Sequence, residues 1–201
     1  MRRLIFGTAV LALAIACSDS NGTGTVPSSQ LHFVVQDAAA PPLLNPRDTF
    51  YAKVGDNREV RLYYQGAAPG DTGEEYLRFE VPNDGLYRKP GGAPFAPGDS
   101  ILITVTVVDP AEFVFKFEPA GLQFNPANPA RLKIEYKHSD HDFDGDGQIT
   151  AADTTIEDTR LDLWRSEPPD TMWLKIGAVK FEELDELDAN IFSFTQYAVA
   201  W

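Results

Sequence analysis

The chain has 201 residues, 43% of them hydrophobic, with 15 glycines and 15 prolines. This composition suits one globular domain, or one domain with a short additional segment, and it supplies enough apolar residues for a core. The 30 acidic and 17 basic residues give a formal net charge of −13, which argues against nucleic acid as a partner because its backbone requires a basic surface.

The first residues have the pattern of a secretory signal peptide. Two arginines precede the apolar run LIFGTAVLALAIA (residues 4–16). The run is too short to span a bilayer, but it fits the apolar region of a signal peptide. It ends at Cys17, the only cysteine, where the sequence AIAC is similar to a bacterial lipobox. We therefore predict a lipoprotein signal peptide over residues 1–16 and lipidation of Cys17.

A lipidated Cys17 predicts a membrane as the first partner. The following residues, SDSNGTGTVPSSQ, are too polar to bury a core, so residues 17–30 are predicted to form a lipidated, flexible tether. Ser18 favours the outer over the inner membrane of a bacterial cell envelope. The alternative is an ordinary signal peptide cut nearby, which would leave a free thiol. In either case no disulfide can form within the chain.

Residues 31–201 alternate apolar and polar residues in short stretches that are separated by clusters of proline, glycine and aspartate. A period of two with β-branched and aromatic residues indicates β-strands. The predicted inward faces are Val60, Leu62 and Tyr64; Leu77, Phe79 and Val81; Ile101, Ile103, Val105 and Val107; Phe113, Phe115 and Phe117; and Leu132, Ile134 and Tyr136. About nine or ten strands predict an all-β fold, an antiparallel immunoglobulin-like β-sandwich. A brief helix is also expected in FEELDELDA (residues 181–189).

Residues 142–153, DFDGDGQITAAD, match the spacing of an EF-hand calcium loop. The predicted ligands all offer oxygen atoms: the carboxylates of Asp142, Asp144, Asp146 and Asp153, the carbonyl group of Gln148, and the hydroxyl group of Thr150 directly or through water. Gly147 stands at the sixth position, where the sharp turn requires glycine. Calcium prefers oxygen ligands of this kind, so Ca²⁺ is the predicted cofactor. The alternative is an acidic turn that binds no metal.

Individual positions set the expected details of this loop. Asp153 stands where a bidentate glutamate is usual, so we expect an extracellular-type affinity with a Kd of about 10⁻⁴ to 10⁻³ M. Thr150 and Asp153 form a capping-box pattern, which predicts a helix through about Asp158. Ile149 is expected to pin the loop to the core. Because the upstream flank is strand-like, the element is closer to half of a dockerin than to a paired EF-hand, although dockerins carry two such loops.

Three segments in the second half of the chain carry a family pattern. They are FEPAGLQFNPANPARLKIEY (117–136), LDLWRSEPPDTMWLKIG (161–177) and ANIFSFTQYAVAW (189–201), and their marks are Gly121, Phe124, Pro126, the paired Trp164 and Trp173 segments and the closing strand. Residues 75–201 thus resemble the ZU-five domain, the β-sandwich of netrin receptors and ankyrins. The resemblance implies a sandwich fold and a partner-binding role without catalysis. The acidic loop is then an insertion between two strands of the family.

The remaining residues give no catalytic pattern. The sequence has no nucleophile elbow, catalytic cysteine or phosphate loop, so we predict no enzyme. Two interpretations of His138 and His141 stay open: a zinc site, or solvated or capping side chains. Two also stay open for Trp164, Trp173 and Trp201: a sugar-binding face, or packing in the core and between strands. We predict a membrane-anchored, calcium-binding, non-catalytic lipoprotein with a structural or protein-interaction role. The alternative is a calcium-dependent surface module that binds carbohydrate or peptide.

Overall fold

The computed structural model describes residues 24–167 and 171–201. Within these residues the chain forms fourteen strands and one α-helix, and the strands pair antiparallel throughout. The predicted all-β sandwich, with a helix after the acidic loop, is therefore confirmed. The predicted signal peptide and the lipidation of Cys17 fall on residues 1–23, outside the described part of the chain.

The elements follow one another along the chain with short connections. The strands are β1 (Thr25–Pro27), β2 (Arg47–Lys53), β3 (Arg58–Gln65), β4 (Thr72–Val81), β5 (Leu86–Arg88), β6 (Ser100–Asp109), β7 (Val114–Glu118), β8 (Gln123–Phe124), β9 (Ala130–Glu135), β10 (Asp162–Glu167), β11 (Met172–Lys175), β12 (Val179–Phe181), β13 (Glu186–Ile191) and β14 (Gln196–Ala200). The helix is α1 (Ala151–Thr159), and 3₁₀ turns lie at Ser28–Gln30 and Glu182–Leu184. Among the described residues, no helix has the length and apolar character needed to cross a membrane.

The strands form two large sheets and a small one of β5 and β8. The seven-stranded sheet has the order β1-β11-β10-β14-β7-β6-β2, and the five-stranded sheet has the order β12-β13-β9-β4-β3. Because β9 belongs to the five-stranded sheet and β10 to the seven-stranded sheet, residues 136–161 carry the chain from one sheet to the other. The acidic loop and α1 lie within this crossing connection.

The core fills the space between the two sheets. The five predicted inward faces are buried there, and only Ile101 is partly exposed. At the centre, the ring of the fully buried Phe79 lies between 5.1 and 6.4 Å from the rings of Phe50, Phe117, Phe124 and Phe194. Such ring pairs contribute about 0.5–1.5 kcal/mol each beyond the burial of their area. The aromatic core therefore supplies much of the stability of a chain without a disulfide.

A second, smaller apolar cluster lies on the other face of the seven-stranded sheet. Its largest members, Trp164 and Trp173, are buried, and Val26 and Phe33 pack against them. Because β1 pairs with β11, residues 25–30 belong to the folded domain, and their assignment to the tether is wrong. The polar composition misled the prediction because backbone hydrogen bonds to a sheet edge require few apolar side chains.

The expected brief helix in residues 181–189 is also wrong. Phe181 ends β12, the second 3₁₀ turn takes up Glu182–Leu184, and the residues from Glu186 onward belong to β13, which pairs with β9 along its length. Leu187 and Ile191 are buried, whereas the carboxylate of Glu186 lies 2.7 Å from the ammonium group of Lys133 on the outer face. Acidic residues on that face hid the alternation of a strand.

Candidate metal centre

The chain enters the acidic loop from a firmly bonded turn. The Asp37 N–H group donates to the His138 carbonyl oxygen at 2.9 Å, and the Asp140 N–H group donates to the Val35 carbonyl oxygen at 2.9 Å. An isolated bridge also joins Gln36 to residue 139. The residues before the loop are therefore attached to residues 35–37, which lie far away in sequence.

Asp142 organises the first half of the loop. Its Oδ1 atom accepts hydrogen bonds from the N–H groups of Gly145 and Asp146 at 3.0 and 3.1 Å, and its Oδ2 atom accepts one from Gly147 at 2.7 Å. Gly145 and Gly147 have φ angles of 75° and 84°, in the left-handed region that favours glycine. Gly147 thus makes the sharp turn that the spacing predicted at this position.

Three carboxylates converge at this turn. One oxygen atom each from Asp142, Asp144 and Asp146 lie within 4.8 Å of one another, and no other group of three such ligands occurs in residues 24–167 and 171–201. Oxygen ligands bind Ca²⁺ at about 2.3–2.6 Å, so a shared ion requires oxygen separations of about 5 Å or less. In the described residues, none of the three carboxylates forms an ion pair with a basic side chain.

Asp153 closes the loop from its last position. It is 1% exposed, and its two carboxylate oxygens accept hydrogen bonds from the N–H groups of Asp144 at 3.0 Å and Thr150 at 2.7 Å. The Thr150 hydroxyl oxygen accepts one from Ala152 at 3.1 Å. The predicted capping box is confirmed, and the helix that it starts runs to Thr159.

The predicted ligands are therefore brought together to different degrees. Asp153 is outside the group of three converging aspartates. The Gln148 N–H group donates to the Asp146 carboxylate at 2.8 Å, and the Thr150 hydroxyl group donates to Asp153 at 3.2 Å. The aspartates at the first, third and fifth positions form the candidate centre, while the ligand roles of Gln148, Thr150 and Asp153 stay predictions.

The loop carboxylates repel one another. The pKa of Asp144 is raised, first because the loop partly removes its carboxyl group from water, and then because the charges of Asp146, Asp153 and Asp142 add to the effect. The pKa of Asp153 is lowered, because the N–H groups of Asp144 and Thr150 stabilise its ionised form. A divalent cation at the centre would offset the repulsion around Asp144.

Phe143 attaches the loop to the sandwich, and Ile149 does not. Phe143 is 4% exposed, and its ring centroid lies 5.3 Å from that of Trp201 and 5.7 Å from that of His141. Ile149 is 73% exposed, so the expectation that it pins the loop to the core is wrong. The sequence has a single loop of this type, which leaves the eighth position without a second loop to pack against. The sequence signal that would have predicted this anchor is Phe143 itself, an aromatic residue inside a polar loop.

The far end of the loop is fixed through α1. The ammonium group of Lys180, on β12, donates to the carbonyl oxygens of Glu157 and Asp158, where a cation complements the negative end of the helix. Ile156 packs against the main core. The loop is therefore held at both ends, by Phe143 on one side and by α1 on the other.

The two histidines beside the loop pair with glutamates. The Nε2 atom of His138 lies 2.7 Å from a carboxylate oxygen of Glu74, and its ring packs on Tyr64 with centroids 4.7 Å apart. The Nδ1 atom of His141 lies 3.9 Å from a carboxylate oxygen of Glu157. Neither histidine belongs to a group of three metal ligands in the part of the chain that the structure describes. This arrangement favours the capping interpretation over zinc.

The tryptophans pack into the domain. Trp164 and Trp173 are 9% and 4% exposed, and the Trp164 indole N–H group donates to the Ala200 carbonyl oxygen at 2.9 Å. Trp201 stacks on His32 with ring centroids 5.5 Å apart. Two of the three indole rings that would form a sugar-binding face are therefore buried.

Comparison of the chain with known protein families, with curated proteins and with solved structures found no match. The resemblance to the ZU-five domain thus stays a prediction based on the quoted segments. The loop combines three converging aspartates, a buried capping carboxylate and an aromatic anchor.

Proposed function

We propose that this protein is a membrane-anchored, non-catalytic β-sandwich lipoprotein of the bacterial cell envelope, whose acidic loop (residues 142–153) binds one Ca²⁺ ion. Its role is structural or is the binding of a protein partner. The observation that carries the proposal is the convergence of Asp142, Asp144 and Asp146 within 4.8 Å. In the described residues these negative charges have no basic side chain that compensates them, so a cation is the natural counterion.

The donor set favours calcium over other divalent ions. All the candidate ligands are oxygen atoms, whereas zinc sites are built mainly from cysteine and histidine. Magnesium demands near-ideal octahedral geometry and keeps several of its waters, whereas calcium accepts flexible geometry from a loop of this spacing. The metal would also link the two sheets more firmly, because the loop lies in the connection from β9 to β10.

A structural role follows because the binding of calcium would stabilise the folded state. An ion that binds only the folded state stabilises that state by mass action. Without the ion, the converging carboxylates of Asp142, Asp144 and Asp146 repel one another. A chain with a single cysteine has no internal disulfide to stabilise it, so calcium in the extracytoplasmic environment would serve as the local clamp.

The proposed anchor would hold the domain close to the membrane. Eight residue steps separate Cys17 from Thr25, where β1 begins, so the two residues lie at most about 28 Å apart. A lipid on Cys17 thus places the sandwich beside the lipid surface. The resemblance to the ZU-five domain supports a partner-binding role. Fractionation of cells that express Cys17→Ala tests the anchor: the variant should leave the membrane fraction, and a variant that stays there would count against lipidation.

Terbium luminescence tests the metal site, since Tb³⁺ replaces Ca²⁺ at oxygen-rich sites. The Trp201 ring lies 5.3 Å from Phe143 in the loop, close enough to transfer excitation energy to a bound lanthanide. We expect tryptophan-sensitised emission that calcium competes away and that Asp144→Asn abolishes. Emission that is absent, or that calcium does not reduce, would overturn the calcium assignment.

A further inference from the structure

The chain between β1 and β2 contains the lead-in segment (residues 32–37), which is bonded to the end of β14. The N–H group of His32 donates to the Trp201 carbonyl oxygen at 3.1 Å, and the N–H group of Trp201 donates back to the His32 carbonyl oxygen at 3.1 Å. The Val34 N–H group donates to the Val199 carbonyl oxygen at 3.0 Å. Val34 is fully buried in the main core.

Asp140, two residues before the acidic loop, connects the loop to the same lead-in segment. The Asp140 N–H group donates to the Val35 carbonyl oxygen at 2.9 Å, and the Asp140 carboxylate accepts a hydrogen bond from the N–H group of Asp142 at 3.0 Å. Two hydrogen bonds thus connect the first candidate metal ligand to the lead-in segment. Order imposed on Asp142 would be transmitted to Val35 through Asp140.

A second route runs through aromatic side chains. Phe143, which directly follows Asp142, meets Trp201 edge-on with ring centroids 5.3 Å apart. Trp201 in turn stacks on His32, with ring planes 19° apart. The loop therefore reaches the lead-in segment by two routes, at Val35 through the backbone and at the bonded pair His32–Trp201 through this stack.

We propose that calcium in the acidic loop acts as a latch, which holds the lead-in segment against β14. This inference rests on the proposed calcium site. Without the ion, the repelling carboxylates leave the loop less ordered, so Asp140 and Phe143 support the segment less firmly. With the ion, Asp142 is held in place. Both the hydrogen-bonded route through Asp140 and the aromatic route through Phe143 then become more ordered. In a protein anchored at Cys17, the chain enters the sandwich through β1 and then through the lead-in segment, so external calcium would set how firmly the second of these two attachments is held.

Hydrogen exchange of backbone amides tests the latch directly. The full chain is kept in a mild non-ionic detergent and compared in EDTA and in saturating calcium. The amides of His32, Val34 and Trp201 should exchange at least about twofold more slowly with calcium, the smallest factor expected from one added aromatic pair. The reference is the Val54 amide, which donates to the Asp99 carbonyl oxygen at 2.9 Å, where β2 ends and β6 begins. Its exchange should change less.

Variants separate the latch from general stabilisation. Phe143→Ala should still bind calcium but lose the selective slowing at His32 and Trp201. If Phe143→Ala does not fold, Phe143→Leu removes the ring contacts and keeps most of the side-chain volume. The matched control is Ile149→Ala, which removes an exposed apolar side chain from the same loop and should leave the slowing intact. Calcium binding by each variant is verified through competition with Tb³⁺.

The outcomes separate this inference from the proposed function. Calcium that binds but slows His32, Val34 and Trp201 no more than Val54 overturns the latch and leaves the calcium site standing. The same holds if both Phe143 variants keep the selective slowing. If neither Tb³⁺ nor calcium binds the loop, the calcium site and the latch both fall.

Discussion

Replacing Phe143 with alanine tests how the acidic loop is fixed to the sandwich. The side chain is 4% exposed, and truncating a buried phenylalanine costs about 3–5 kcal/mol of unfolding free energy. We expect the lower end, about 3 kcal/mol, because a site at the end of the sandwich can partly collapse onto the cavity. For a chain of this size, 1 kcal/mol corresponds to about 2–4 °C in Tm, so Tm should fall by about 6–12 °C.

The assay is thermal unfolding followed by circular dichroism, with calcium present, and the control is Ile149→Ala. Ile149 is 73% exposed, and surface substitutions of this kind usually change the unfolding free energy by no more than about 0.5 kcal/mol. The two substitutions remove apolar atoms from the same loop, so they differ mainly in burial. Equal losses, or a greater loss for Ile149→Ala, would refute the assignment of Phe143 as the anchor.

Further predictions concern the charges of the loop. Calcium at about 10 mM should stabilise the fold by about 1.4–2.7 kcal/mol for a Kd of about 10⁻³ to 10⁻⁴ M, and scanning calorimetry that finds the same Tm in EDTA and in calcium would exclude a structural ion. Asp144→Asn should raise Tm in EDTA, because it removes a charge whose pKa the loop raises, and lower Tm in calcium relative to the unchanged chain; a shift of the same sign in both would contradict the electrostatic argument. Calcium affinity should weaken as the pH falls through the raised pKa of Asp144, starting at a higher pH than for an ordinary aspartate; an affinity that stays constant in titrations down to acidic pH would count against this. The stability that Asp153 contributes through its lowered pKa is present above the pKa of an ordinary aspartate and is lost as the pH falls through the folded-state value. Asp153→Asn should therefore flatten the acid limb of the unfolding free energy, and an unchanged limb would contradict the role of its hydrogen bonds.

The strands that could be predicted are those in which apolar and polar residues alternate clearly along the sequence. β3, β4, β6, β7 and β9 show a run of apolar residues at every second position, and these residues are buried as expected except for the partly exposed Ile101. β1 and β13 could not be predicted in the same way. β1 is polar and depends on backbone pairing with β11, and the acidic outer face of β13 made its sequence look like a charged turn.

The local geometry of the candidate site could be predicted, and its attachment could not. The Asp–Gly spacing encodes the turn at Gly147 and the convergence of the aspartates, because both depend on residues close in sequence. The capping box of Thr150 and Asp153 is local in the same sense. The anchor depends on contact between Phe143 and Trp201, which only the folded sandwich brings together.

Calorimetric titration of calcium into the full chain, in a mild non-ionic detergent, tests the central claim most directly. Binding should saturate at one ion per chain, with a Kd of about 10⁻⁴ to 10⁻³ M. Asp144→Asn should abolish the binding heat, whereas Asp71→Asn, which alters an exposed carboxylate outside the loop, should leave the titration unchanged. A titration without saturable heat, or one that Asp144→Asn does not alter, would contradict calcium binding at residues 142–153.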